Sequence, residues 1–208
     1  MPEAREVWIA CHGYGQLGEI FARHLEGIAG GRRLVLVPEG LSRFYLDHAD
    51  GAYERVGASW MTREDRESEI TDQVAYLDAV LSETIRGLDE SPRIVGFGFS
   101  QGGATITRWI DQSPLLAKRA KRVDRLILWG SAPPEDLDLA DTWLAEADLT
   151  LIVGSEDPFA TPERMAHHEA LLTDANIPFQ RVDYAGGHRI LPDVLSAVAA
   201  TPLQPVAT

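Results

Sequence analysis

The sequence predicts a three-layer α/β domain built on a mainly parallel sheet of about six strands. Two observations carry that reading. Short apolar runs mark six segments, most of them near-continuous rather than alternating, as expected of parallel strands covered on both faces. Between them lie segments with helical spacing of apolar residues, so strands and helices alternate along the whole chain.

The expected strands are Val7–Cys11, Leu34–Val37, Arg93–Phe99, Leu126–Gly130, Leu149–Val153 and Phe179–Tyr184. The clearest helix is Glu67–Leu88, where Ile70, Val74, Leu77, Leu81 and Leu88 fall on one face. Further helices are expected at Leu17–Ile28, Gln101–Gln112, Pro162–Asn176 and Leu191–Ala200, with Thr161 and Pro162 reading as an N-cap and an N1 proline. The connection from Pro38 to about Arg66 is long for a compact domain and too apolar for a disordered linker. The end of the chain, Thr201–Thr208, reads as a loose tail. The length of 208 residues suits one domain with a full core.

Composition narrows the function classes. A 45% hydrophobic and 25% charged content is that of a soluble globular protein, and no apolar run approaches the roughly 20 residues of a membrane span. Stable membrane insertion is therefore not expected. The formal net charge of −13 repels phosphate backbones, so nucleic acid is not an expected partner. The N-terminus lacks the basic and apolar regions of a secretory signal, and the single cysteine, Cys11, suits a reducing compartment; both point to a cytoplasmic protein.

In parallel α/β sheets ligands bind beyond the carboxyl ends of the strands. Chemistry is therefore sought there. Strand 93–99 runs directly into Gly98-Phe99-Ser100-Gln101-Gly102, followed by a helix. Such a strand–turn–helix elbow holds a serine in a strained conformation above the sheet edge, at a helix N-terminus. A phosphate-binding loop is excluded because no Gly-Lys-Ser/Thr follows. Ser100 is the expected nucleophile.

A serine nucleophile needs a base, and the base an orienting acid. Strand 149–153 ends in Gly154-Ser155-Glu156-Asp157-Pro158, which offers Asp157, with Glu156 as its nearest competitor. Strand 179–184 ends in Ala185-Gly186-Gly187-His188, which offers His188 as the base. His167 and His168 fall mid-helix, and no metal site is expected there. The first strand ends in His12-Gly13-Tyr14-Gly15-Gln16. The backbone N–H groups of Tyr14 and Gln101 are the expected oxyanion donors, and His12 reads as a structural histidine. Cys11 and His12 are neighbours on a strand, point to opposite faces and cannot pair.

Taken in order, these four motifs resemble the phospholipase/carboxylesterase family, which includes acyl-protein thioesterases. The matching segments are His12-Gly13-Tyr14-Gly15, Gly98-Phe99-Ser100-Gln101-Gly102-Gly103, Gly154-Ser155-Glu156-Asp157-Pro158 and Gly186-Gly187-His188. The resemblance implies an α/β-hydrolase fold, hydrolysis of small-molecule carboxylic esters or thioesters, and no cofactor. The chain departs from the family at Tyr14 and Gln16, where a small aliphatic residue and an aspartate are usual, and in starting at the oxyanion strand. Only 131–148 separate two of the strands, so no lid domain is expected. Phe44, Tyr45, Trp60, Met61 and Phe159 are the candidates for the pocket lining. A thioesterase, a lysophospholipase-type hydrolase, a peptidase and a low-turnover binding module are the alternative readings.

Overall fold

The computed structural model describes residues 4–47, 53–88, 91–140 and 143–202. The expected tail beyond Pro202 and the histidine at 48 lie outside the described residues. The element order is β1 (Glu6–Cys11), α1 (Gly18–Ala22), β2 (Arg33–Leu36), β3 (Ser42–Tyr45), β4 (Val56–Ser59), α2 (Arg66–Arg86), β5 (Arg93–Phe99), α3 (Gln101–Gln112), β6 (Arg125–Trp129), α4 (Trp143–Glu146), β7 (Asp148–Gly154), α5 (Pro162–Asp174), β8 (Phe179–Tyr184) and α6 (Pro192–Ala200).

Six strands form one sheet in the order β2-β1-β5-β6-β7-β8, and every pairing is parallel. The pleat divides the core into two layers. Val7, Ile9, Cys11 and Ile94 face a cluster with Leu77 and Leu81 of α2 and Ile106, Trp109 and Ile110 of α3. Trp8, Ala10, Val95, Phe97 and Phe99 face the other cluster, with Phe21 of α1 and Leu195 and Val198 of α6. These two apolar layers explain why the central strands read as unbroken hydrophobic runs. On the α3 side the strand carries Gly96, whose added Cβ would lie 3.0 Å from Ile110 Cδ1, so α3 lies close against β5.

Two expectations are corrected. The long connection contains an antiparallel pair, β3 with β4, in the register Ser42↔Ser59 to Tyr45↔Val56. The expected helix over 17–28 is only the five-residue α1 followed by a 3₁₀ turn at Glu26–Ile28, yet Phe21, Leu25 and Ile28 still reach one core layer. Between β6 and β7 the only helix among the described residues is the four-residue α4. No described helix is long and apolar enough to cross a membrane.

At the amino ends of the strands, Arg125 and Asp148 form a buried ion pair at 2.6 Å, with side chains 5% and 6% exposed. Arg125 also donates to the carbonyls of Val198, Thr201 and Pro202, which ties the end of α6 under the sheet. Removing one partner of such a pair strands a buried charge. Asp148→Ala is expected to lower stability by about 3 kcal/mol, the low end for a broken buried pair because the carbonyl contacts remain. A urea melt that leaves the midpoint unmoved would contradict this role.

Candidate active site

The site lies beyond the carboxyl ends of β1, β5, β6, β7 and β8. Ser100 follows β5 with φ 54° and ψ −121°, a left-handed conformation that costs a non-glycine residue roughly 1–3 kcal/mol. Its amide donates to Trp129 O at 3.0 Å, and its carbonyl accepts from Gly103 N, so the turn is bonded on both sides. Close approach makes the turn possible: a Cβ on Gly102 would lie 2.0 Å from Cys11 O, so only glycine lets α3 start against the end of β1.

Asp157 and His188 arrive from β7 and β8. Asp157 Oδ2 lies 2.7 Å from His188 Nδ1, and Oδ1 accepts from the amides of Phe159 at 2.9 Å and Ala160 at 3.1 Å. All the acceptor capacity facing the site is thus directed, and the aspartate is 4% exposed. Its competitor Glu156 is exposed to solvent. The imidazole sits between two phenyl rings, with Phe99 at 4.7 Å and Phe159 at 4.8 Å between centroids. Gly130, at φ 57°, passes so close that a Cβ there would lie 2.8 Å from His188 Cε1 and 3.0 Å from Asp157 Oδ2. Phe99 precedes Ser100 in the chain, so its ring links the serine turn to the imidazole.

Three supporting roles are not marked by any motif, those of Tyr184, Trp129 and the Gln101 side chain. Tyr184 hydroxyl bridges the carbonyls of Gly187 at 2.7 Å and Arg189 at 2.8 Å, and accepts from Trp129 Nε1 at 3.1 Å. Together these two aromatic residues hold the turn that carries His188. The available signal was positional: Tyr184 is the inward-facing last residue of β8. Gln101 is the third. Its side chain donates to Met61 O at 2.8 Å and accepts from Trp60 N at 3.1 Å, so it fastens the long connection to the elbow.

The loop after β1 is built on His12. Its Nδ1 lies 2.8 Å from Gly13 O, and its Nε2 accepts from Gly40 N at 2.9 Å, an arrangement that requires the neutral ring protonated on Nδ1. Gln16 Oε1 accepts from Gly13 N at 2.8 Å, and Gly15 N donates to Ala58 O. Among the described residues, the amides of Tyr14 and Gln101 donate to no protein acceptor. Cys11 takes no part: it is fully buried and burial pushes its thiol well above the usual range.

The five expected lining residues are dispersed. Phe159 is exposed and touches the imidazole. Phe44 is half-buried against Tyr14, with centroids 5.0 Å apart. Tyr45 is exposed and packs on Tyr53. Met61 is half-buried beside the Arg108 guanidinium. Trp60 corrects the expectation, since it is 1% exposed and its indole donates to His12 O at 2.9 Å. It is a core residue beneath the loop. His167 and His168 sit on α5 as expected, and no described cluster of potential ligands is arranged to hold a metal.

The model of the phospholipase/carboxylesterase family matches residues 2–201. No curated protein matches the sequence. Among solved structures, a carboxylesterase from Mesorhizobium loti is similar, with a TM-score of 0.70 and 20% identity over 97% of this chain and 91% of that one. SOBER1 of Arabidopsis thaliana has a TM-score of 0.69 and 19% identity over 95% and 97%. Acyl-protein thioesterase 2 of Zea mays has a TM-score of 0.66 and 16% identity over 94% and 91%. At these identities the structures share the fold.

Burial holds the His12 ring below the usual histidine range, against smaller opposing effects of Gly13 and Glu39. A base with a depressed folded-state pKa binds its proton more readily when unfolded, so its contribution is present above 6.5 and lost as pH falls below it. The urea midpoint is expected to drop more steeply between pH 7.5 and pH 5.5 in the parent than in His12→Asn, with pH range chosen around the unfolded value. Parallel slopes would show that His12 does not titrate on unfolding.

Proposed function

This chain belongs to the phospholipase/carboxylesterase family, a family of ester-cleaving hydrolases, and from that premise we propose that it is a carboxylesterase acting through Ser100, His188 and Asp157. The observation that carries the reading is the bond between His188 Nδ1 and Asp157 Oδ2, at 2.7 Å, with the imidazole packed on Phe99, the residue before a serine held at positive φ at a strand–helix turn. With Nδ1–H held by the carboxylate, Nε2 is free to accept a proton.

His188 Nε2 takes the proton of Ser100 as Oγ adds to the ester carbonyl carbon. The carbonyl oxygen becomes an oxyanion and accepts from the amides of Tyr14 and Gln101. Collapse breaks the bond to the alcohol oxygen, which leaves with the proton from His188, and Ser100 holds the acyl group as an ester. Water then adds with His188 as base again, releasing the acid and restoring Ser100. The cycle uses no cofactor. Its substrate is a small-molecule ester, and the working compartment is the cytoplasm.

Ser100→Ala and His188→Ala are each expected to lower kcat for p-nitrophenyl butyrate by about 10⁴-fold or more, and Asp157→Asn by a similar order. A fluorophosphonate probe should label the parent at Ser100 and leave His188→Ala unlabelled. Unchanged turnover in Ser100→Ala would refute the assignment, and an unlabelled parent would favour a binding module. Oxygen and thioester analogues of one acyl group, compared by kcat/KM, separate the carboxylesterase reading from the thioesterase one.

A further inference from the structure

The two sides of the mouth around Ser100 differ in chemistry. On the oxyanion side stand Tyr14, Phe44 and the β3–β4 pair, where Tyr45, Leu46 and Tyr53 expose aromatic and aliphatic surface. Leu46 lies directly over Gly15, with its Cδ2 3.2 Å from where a Cβ would be. On the imidazole side a groove of about 380 Å³ runs between α5 and the segment after β6. It begins at Gly130 and Ser131 and passes Phe159, whose ring contacts His188. Its further wall is polar: Glu135, Glu163, Arg164, His167 and His168 all line it. His167 Nε2 and Glu135 Oε1 are 3.8 Å apart across the groove.

The reaction fixes which part of an ester goes to which side. The leaving oxygen must receive its proton from His188 Nε2, so the alcohol lies beside the imidazole, while the carbonyl oxygen points to the amides of Tyr14 and Gln101. The α5 groove adjoins the imidazole through two of its lining residues, Gly130, where a Cβ would lie 2.8 Å from His188 Cε1, and Phe159, whose ring packs on His188. Hydroxyl groups on an alcohol there would pair with two carboxylates, a guanidinium and two imidazoles at the groove's solvent-facing wall, contacts that a propyl chain does not make.

We infer that the groove between α5 and the segment after β6 is the leaving-group subsite, and that it selects a small hydroxylated alcohol, with Glu135 and His168 as specificity-determining residues. The inference rests on the hydrolase reading above. Phe159 forms the apolar threshold between the reacting bond and this polar wall. The acyl group takes the aromatic side, beside Tyr14 and Phe44.

Glyceryl 1-butyrate and propyl butyrate test it, because they share the acyl group and a three-carbon alcohol and differ in two hydroxyls. kcat/KM reports the steps through departure of the alcohol. The parent is expected to favour the glyceryl ester by about tenfold, the scale of one or two gained hydrogen bonds. In Glu135→Leu/His168→Leu the ratio should fall toward one, with fluorophosphonate labelling of Ser100 at the parental rate as evidence of an intact site. A parental ratio near one, or a ratio that survives the double substitution, would overturn the inference and leave the hydrolase reading standing. So would a double variant that changes selectivity between butyrate and 3-hydroxybutyrate esters of one alcohol, since the groove would then hold the acyl group. Loss of all ester cleavage and labelling in the parent would instead overturn the hydrolase reading itself.

Discussion

The constraint on which the rest depends is the contact between the serine turn and the end of β1. α3 can begin where it does only because Gly102 carries no side chain against Cys11 O. Ser100 stands at positive φ in the same turn, a cost offset by bonds on both sides of it and by the buried apolar layer of α3. The same close approach brings the loop after β1 beside the first turn of α3. The end of β1 and the first turn of α3 thus meet through backbone, and a Cβ on Gly102 would lie only 2.6 Å from His12 O.

A second layer of hydrogen bonds joins the segments around the site. Gln101 begins α3 beside Ser100, and its side chain fastens Trp60 and Met61. Trp60 in turn bonds the carbonyl of His12, whose ring holds Gly40. One chain of hydrogen bonds thus connects the elbow, the long connection and the loop after β1. On the other side Trp129 and Tyr184 do the equivalent for His188. Bonds of this kind lock side-chain conformations without adding charge near the reacting atoms.

Legibility in the sequence followed range of interaction. The strands were legible because both faces of the sheet are covered, so their composition alone betrays them. The strand–helix turn at Ser100 was legible because its glycines answer a local steric demand, and the Asp157–His188 pair has a sequence trace because each residue lies a few positions past a strand end. The β3–β4 pair was not, since Ser-Arg-Phe-Tyr and Val-Gly-Ala-Ser show no clean alternation over four residues. Trp60 was misplaced because its partner is a carbonyl 48 residues away, which no local pattern encodes. The supporting role of Tyr184 was hidden for the same reason, its hydroxyl answering a turn that only the folded chain defines. The α5 groove is likewise assembled from two distant segments, and its polar lining looks in sequence like an ordinary solvated helix face.

The sheet order carries a kinetic corollary. β1 is an interior strand, and its longer pairing is with β5, Val7 opposite Ile94. During synthesis at about 5–20 residues per second, β1 waits on the order of 4–17 s for that partner to be made. For that interval the run Val7-Trp8-Ile9-Ala10-Cys11, which the finished fold buries completely, has only the short β2 to lie against. Non-local pairing of this kind also slows the closing step once the chain is complete. The pairing of β1 with β5 thus spans the longest stretch of sequence of any pairing in the sheet.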